Sequence, residues 1–99
     1  MTSPGDQVSA LVADMLNAIT RFESDDLAIG RLSWELKSRL AALGGIADRQ
    51  WVERLRTMRN QIDLIHAVFS ESGRATLSDA ERQEVRDILD ELKAALQRH

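Results

Sequence analysis

Residues 5–23 read GDQVSALVADMLNAITRFE, and this stretch decides the fold class. Its large apolar side chains recur at intervals of three and four residues, which is the spacing of one face of an α-helix. They are Val8, Leu11, Val12, Met15, Leu16, Ile19 and Phe22. The preceding residues supply a helix start, with Ser3 as N-cap, Pro4 at the first helical position and Asp6 at the third. The stretch therefore predicts an amphipathic helix over residues 5–23.

The polar residues 23–26 (ESDD) separate this helix from a second one, which is predicted over residues 27–43. Ser24 or Asp25 can cap the second helix through a side-chain oxygen. Gly44-Gly45 ends it, because glycine readily takes the positive φ that is common at helix C-termini. The apolar stripe of this helix consists of Ile29, Leu32, Leu36, Leu40 and Leu43.

Two further helices are predicted over residues 49–71 and 79–97. Asp48 can cap the third helix, Gly73 closes it, and residues 78–81 (SDAE) form a complete capping box for the fourth. The apolar stripe of the third helix consists of Trp51, Leu55, Met58, Ile62, Ile65 and Phe69. That of the fourth helix consists of Val85, Ile88, Leu89, Leu92 and Leu96. Short connections favour antiparallel neighbours. The sequence therefore predicts a single all-α domain over residues 1–99, an antiparallel up-down bundle of four helices.

The composition limits the classes of function. The chain has no cysteine, which removes disulfides, zinc–thiolate sites and cysteine nucleophiles, and its net charge of −3 argues against a nucleic-acid partner. No apolar run approaches the roughly 18 residues needed to span a bilayer. The N-terminus lacks the basic start and apolar stretch of a signal peptide. The sequence thus predicts a cytoplasmic protein with no membrane partner and no nucleic-acid partner.

The chain carries no recognisable catalytic motif. Its only histidines are His66 and His99, and His66 lies at the flank of an apolar stripe, which is typical of a partly buried structural histidine. Asp63 and His66 provide only two potential ligands, fewer than a metal site needs. There is no Gly-rich phosphate loop and no Ser–His–Asp pattern. The sequence therefore predicts no catalytic, cofactor-binding or metal-binding residues, and a protein that is not an enzyme.

One enzyme family remains as an alternative. Leu55-Arg56, Ile62-Asp63-Leu64-Ile65 and Gly73-Arg74 resemble the first helix of the all-helical chorismate mutases. That resemblance implies a small all-α enzyme that binds a dianionic substrate with a cluster including a mid-chain lysine. Here the spacing from Arg56 to Asp63 is longer than in that motif, and the match begins halfway along the chain.

In the fourth helix, acidic and basic side chains lie along two different edges. Glu84, Asp87 and Glu91 fall along one edge, whereas Arg82, Arg86 and Lys93 fall along the other. Like charges at this spacing repel by roughly a few tenths of a kcal/mol per pair, whereas a one-sign field speeds the encounter with a complementary partner. One interpretation is a protein-binding surface made by Glu23, Asp25, Asp26, Glu84, Asp87 and Glu91. The other is a solvated face, with or without pairing to Arg56 and Arg59 of the third helix.

Trp34 lies nearly opposite the apolar stripe of the second helix. A tryptophan in that position can anchor an interface, but a helix between two neighbours can also bury both of its faces. Leu64 and Val68 lie off the stripe of the third helix and allow the same two interpretations. If these three residues are exposed, they favour a regulatory or adaptor bundle that forms a weak homodimer.

A family resemblance covers residues 19–96. It rests on Phe22, Leu27-Ala28-Ile29-Gly30-Arg31-Leu32, Trp51, Ile65-His66-Ala67-Val68 and Leu77-Ser78-Asp79. In this order of features the chain resembles the small helical immunity proteins that bacteria make against their own nuclease toxins, especially the colicin D immunity type and the immunity proteins of contact-dependent growth inhibition. The resemblance implies an inhibitor that binds a cognate toxin domain and occludes its active site with acidic residues in place of RNA phosphates. The modest net charge departs from many nuclease inhibitors, which are more acidic.

Overall fold

Three of the four helices of residues 3–98 begin where a side chain accepts a hydrogen bond from a free N–H group of the helix N-terminus. The computed structural model describes residues 3–98 and contains four α-helices there: α1 (Pro4–Glu23), α2 (Ile29–Leu43), α3 (Arg49–Ser72) and α4 (Asp79–Leu96). The Ser3 hydroxyl accepts a hydrogen bond from the backbone N–H of Asp6 at 3.2 Å. The Asp48 carboxylate accepts one from the N–H of Trp51 at 3.0 Å. The prediction of an all-α chain with four helices is confirmed.

The capping box of α4 is complete. The Ser78 hydroxyl accepts a hydrogen bond from the N–H of Glu81 at 3.1 Å, and the Glu81 carboxylate accepts one from the N–H of Ser78 at 2.9 Å. The same carboxylate also accepts a hydrogen bond from the Arg74 guanidinium at 2.9 Å. Glu81 therefore joins the start of α4 to the loop that precedes it.

Glu81 makes the stability of the chain depend on pH. The hydrogen bond from Arg74, followed by those from Ser78, lowers the pKa of Glu81 from 4.5 to about 2. Because the folded-state pKa is depressed, the stabilisation is present above pH 4.5 and is lost as the pH falls towards 2. We expect Glu81→Gln, which keeps the shape of the box, to melt at a lower temperature than wild type at neutral pH and at the same temperature near pH 2. An equal difference at both pH values would show that the charge of Glu81 does not stabilise the fold.

The start of α2 differs from the sequence prediction. The helix begins at Ile29, and its N-cap is Ala28, which provides no side-chain hydrogen bond, so the prediction that Ser24 or Asp25 caps it is wrong. Ser24 is instead the C-cap of α1. Asp25 follows it in the left-handed region with φ of 62°, which turns the chain towards α2.

The end of α2 also differs. Gly44 has φ of −58°, so the predicted positive φ is wrong at this position. The space around Gly44 is limited instead, because a Cβ there would lie 3.0 Å from Nη2 of Arg56. Gly73 after α3 does take a positive φ, of 71°, as the sequence predicts.

The four apolar stripes meet in one core. The most completely buried side chains are Met15, Ile19, Leu32, Leu36, Leu43, Leu55, Ile62, Val85, Leu89, Leu92 and Leu96. Trp51 is half-buried at the start of α3, and its indole N–H donates a hydrogen bond to the carbonyl of Ala95 at 2.8 Å. Each helix packs against two others: α1 and α3 each contact α2 and α4, and the contact of α1 with α4 is the smallest of the four.

Over residues 3–98, no helix combines the length and the apolar character that crossing a membrane requires.

Candidate functional site

A cleft of about 460 Å³ lies where the α1–α2 connection meets α3, the loop before α4 and the first half of α4. We call it the corner cleft. Its large apolar lining residues are Phe22, Leu27, Ile29, Phe69 and Leu77. Its charged lining residues are Glu23, Asp25, Asp26, Arg82 and Arg86. The structure thus brings the predicted acidic cluster of residues 23–26 against the basic edge of α4.

Two of the three carboxylates at the corner cleft are paired within the chain. Glu23 accepts hydrogen bonds from the ammonium group of Lys93 at 3.1 Å, and this contact raises the pKa of Lys93 above its ordinary value. Asp25 lies 3.5 Å from the guanidinium of Arg82. Within residues 3–98, Asp26 alone of the three forms no ion pair. The cluster is therefore largely neutralised by neighbouring side chains.

The acidic edge of α4, defined by Glu84, Asp87 and Glu91, lies outside the corner cleft. All three side chains are exposed. Asp87 accepts a hydrogen bond from the side-chain amide of Gln83 at 2.9 Å. No ion pair joins any of the three to a cation of residues 3–98. This edge therefore keeps its negative field.

The interpretation that Arg56 and Arg59 neutralise the acidic edge is wrong. Arg56 pairs with Glu53 of its own helix at 3.6 Å. Arg59 pairs with Asp63, also on α3, at 2.6 Å. Both cations are thus engaged away from α4.

Among residues 3–98, the large apolar side chains that remain exposed are Trp34, Leu64 and Val68, with 52%, 68% and 60% of their surface accessible. The interpretation that packing on two sides buries them is therefore wrong. The guanidinium of Arg31 stacks on the indole of Trp34 at 4.4 Å from the ring centroid, and a stack of this kind stabilises the orientation of the ring. Trp34 therefore lies exposed on the outer face of α2.

A polar cluster at the contact of α2 and α3 was not predicted from the sequence. The buried hydroxyl of Ser33 donates a hydrogen bond to the carboxylate of Asp63, which also accepts one from Arg59 at 2.6 Å. One turn away, Nε2 of His66 lies 3.0 Å from the position that a Cβ of Gly30 would occupy. These groups join the two helices. The only sign of this polar cluster in the sequence was weak: Ser33 lies between the stripe residues Leu32 and Leu36.

Two further clefts lie on the described part of the chain. A cleft of about 470 Å³ is lined by Gly5, Val8, Ile46, Ala47, Asp48, Trp51 and Arg98. A groove of about 350 Å³ between α3 and α4 is lined by Trp51, Arg54, Met58, Glu91, Ala94, Ala95 and Arg98. Neither Arg56 nor Asp63, the residues that resemble the chorismate mutase motif, lines any of these three clefts.

Metal-ligating side chains do not gather either. Between residues 3 and 98 there is no group of three or more His, Cys, Asp or Glu side chains that could hold an ion. His99 lies outside the described residues.

Comparison with known proteins found no match to the chain among protein-family models, curated proteins or solved structures.

Proposed function

We propose that this chain is a non-catalytic protein-binding module, and specifically an immunity protein that binds a cognate bacterial toxin in the cytoplasm and occludes its active site. The observation that carries the proposal is the acidic edge of α4. Its three exposed carboxylates have no cationic partner within residues 3–98, although other carboxylates of the chain do. Mutual repulsion makes such an edge slightly unfavourable for the free helix. A basic toxin surface that binds RNA would supply the missing cations.

The proposal includes an antiparallel up-down order of the helices. Contacts between opposite ends of consecutive helices support it. Gly30 near the start of α2 lies beside His66 in the second half of α3. Trp51 near the start of α3 bonds to Ala95 near the end of α4. The outer face of α4 belongs to a regular helix over Asp79–Leu96, which suits a surface that must match a preformed active site.

The proposal is tested with the toxin domain encoded by the neighbouring reading frame. We expect the wild-type chain to form a complex with that domain and to protect cells that express it. The triple variant Glu84→Gln/Asp87→Asn/Glu91→Gln should bind about 1,000-fold more weakly or worse, since close charge pairs at interfaces couple by about 1.5 kcal/mol or more each and about 1.4 kcal/mol is a factor of ten. Calorimetric titration measures the affinity, and cell survival measures the protection.

A matched control separates the acidic edge from overall charge. The triple variant Asp6→Asn/Glu53→Gln/Glu71→Gln removes the same number of negative charges at exposed positions elsewhere. It should bind the toxin domain nearly as well as wild type. Equal weakening by both triple variants, or a neighbouring gene for a housekeeping protein that forms no complex, would contradict the proposal.

A regulatory bundle that homodimerises is the second candidate function. The exposure of Trp34, Leu64 and Val68 favours it, because aromatic and large aliphatic side chains are the usual anchors of interfaces. Light scattering at high protein concentration separates the two candidates: a strict monomer removes the homodimer, whereas a dimer lost on Trp34→Ser supports it.

A further inference from the structure

The corner cleft combines an apolar lining with a few charged groups. Phe22, Leu27, Phe69 and Leu77 line it and are partly buried against the core. Its volume of about 460 Å³ lies within the range of small-molecule sites, roughly 300–1,000 Å³. Such sites are mostly apolar and use a small number of polar groups to orient the ligand. The composition of the corner cleft is therefore that of a site for a small amphipathic molecule.

Most of the charges at the corner cleft are paired already. Glu23 and Asp25 each have a cationic partner, at 3.1 and 3.5 Å, and the partner of Asp25 is Arg82. Of the charged lining residues, Asp26 and Arg86 form no ion pair with any residue of the range 3–98. Both side chains are exposed. The cleft thus presents one carboxylate and one guanidinium that are available to a ligand.

The backbone places these two groups beside one ion pair. The N–H of Asp26 donates a hydrogen bond to the carbonyl of Arg21 at 2.8 Å, which closes the turn after α1. Asp26 directly follows Asp25, the residue that pairs with Arg82. Arg86 lies one helical turn after Arg82, and residues four apart are neighbours on a helix surface. The available carboxylate and the available guanidinium therefore flank the same ion pair and line the same cleft.

We propose that the corner cleft binds an apolar amino acid in its zwitterionic form. The side chain of the ligand packs on the apolar lining, its carboxylate binds Arg86, and its ammonium group binds Asp26. Hydrogen bonds between charged groups are stronger than those between neutral ones. A ligand with only a negative charge would be repelled by Asp26, and one with only a positive charge would be repelled by Arg86. The cleft therefore selects a ligand that carries both charges.

The test uses the full chain, labelled with nitrogen-15, and three probes of similar shape. They are phenylalanine, phenylpropionate, which lacks the ammonium group, and phenylethylamine, which lacks the carboxylate. We expect phenylalanine to change the chemical shifts of residues that line the corner cleft. It should bind at least about 3-fold more tightly than either analogue, because each analogue loses one ion pair at an exposed position.

Two variants assign the two ends of the ligand. Arg86→Gln should weaken the binding of phenylalanine and phenylpropionate at least about 3-fold and leave phenylethylamine no weaker. Asp26→Asn should weaken phenylalanine and phenylethylamine by a similar factor and leave phenylpropionate no weaker. Both side chains are exposed and form no ion pair in the described part of the chain, so we expect the melting temperature of each variant to stay unchanged.

Arg54→Gln is the matched control. Arg54 is an arginine that lines the groove between α3 and α4 instead of the corner cleft, and its substitution should leave the affinity for phenylalanine unchanged. Absence of binding, equal binding of all three probes, tighter binding of either analogue, or shifts centred outside the corner cleft would overturn the inference.

The inference is independent of the proposed function, because the acidic edge of α4 lies outside the corner cleft. The triple variant Glu84→Gln/Asp87→Asn/Glu91→Gln should therefore bind phenylalanine as tightly as wild type does. A chain that binds the toxin domain but no amino acid rejects the ligand site and leaves the immunity function standing. A chain that binds phenylalanine but no toxin domain rejects the immunity function and leaves the ligand site standing.

Discussion

Leu36→Ala should lower the free energy of unfolding by about 2–5 kcal/mol. The Leu36 side chain is 0% exposed, and α2 packs against both α1 and α3. A cavity at this position therefore cannot close unless two other helices move. A domain of this size has a total stability of about 5–15 kcal/mol, so the substitution removes a large part of it. The midpoint of urea unfolding, followed by circular dichroism, measures the loss.

Trp34→Ala is the matched control for that experiment. Trp34 lies two residues before Leu36 on the same helix and is the larger side chain, but 52% of its surface is exposed. The substitution mainly removes the stack with Arg31, so we expect a loss of less than about 1 kcal/mol. Comparable losses for the two variants would show that the outer face of α2 is covered in solution, as in a homodimer.

Trp51→Ala should also have a large effect, a loss of about 3 kcal/mol. Trp51 packs against the core at the start of α3 and bonds to the carbonyl of Ala95, so it ties two helix ends together. Trp51→Phe keeps most of the apolar contact and removes the hydrogen bond, and it should cost about 1 kcal/mol. Urea unfolding of both variants separates the two contributions. Equal losses would show that the hydrogen bond, and not the packing, is what Trp51 contributes.

The helices could be predicted because local signals and apolar spacing agree. In α1 and α4 a serine N-cap precedes an unbroken apolar stripe, and both helices form as expected. The start of α2 could not be predicted, because its N-cap is Ala28, a residue with no capping side chain. The turn before it depends on Asp25, whose left-handed conformation is accompanied by a contact with Arg82 of α4. Spacing along the chain carries no information about such a distant partner.

The candidate site could be predicted only where it depends on residues close together in the sequence. Charge sorting within α4 follows from helix geometry, so the acidic edge was visible in the sequence. The pairing of Glu23 with Lys93 joins residues seventy apart in the chain and depends on how α1 lies against α4. The sequence therefore overstated the acidity of residues 23–26. The exposure of Trp34 was one of two open interpretations, because spacing shows only that it leaves the stripe.

The small contact between α1 and α4 has a consequence for motion. That seam is bridged by the exposed ion pairs Glu23–Lys93 and Asp25–Arg82, and such pairs are screened by salt. The four helices contact one another in the cyclic order α1–α2–α3–α4–α1, and local opening should occur most readily between α1 and α4. Amide protons on the two facing sides of these helices should therefore be among the first helical ones to exchange with solvent. The acidic edge lies on the opposite side of α4, next to α3. The surface proposed for recognition thus lies beside the α3–α4 contact, which stays closed when α1 and α4 separate.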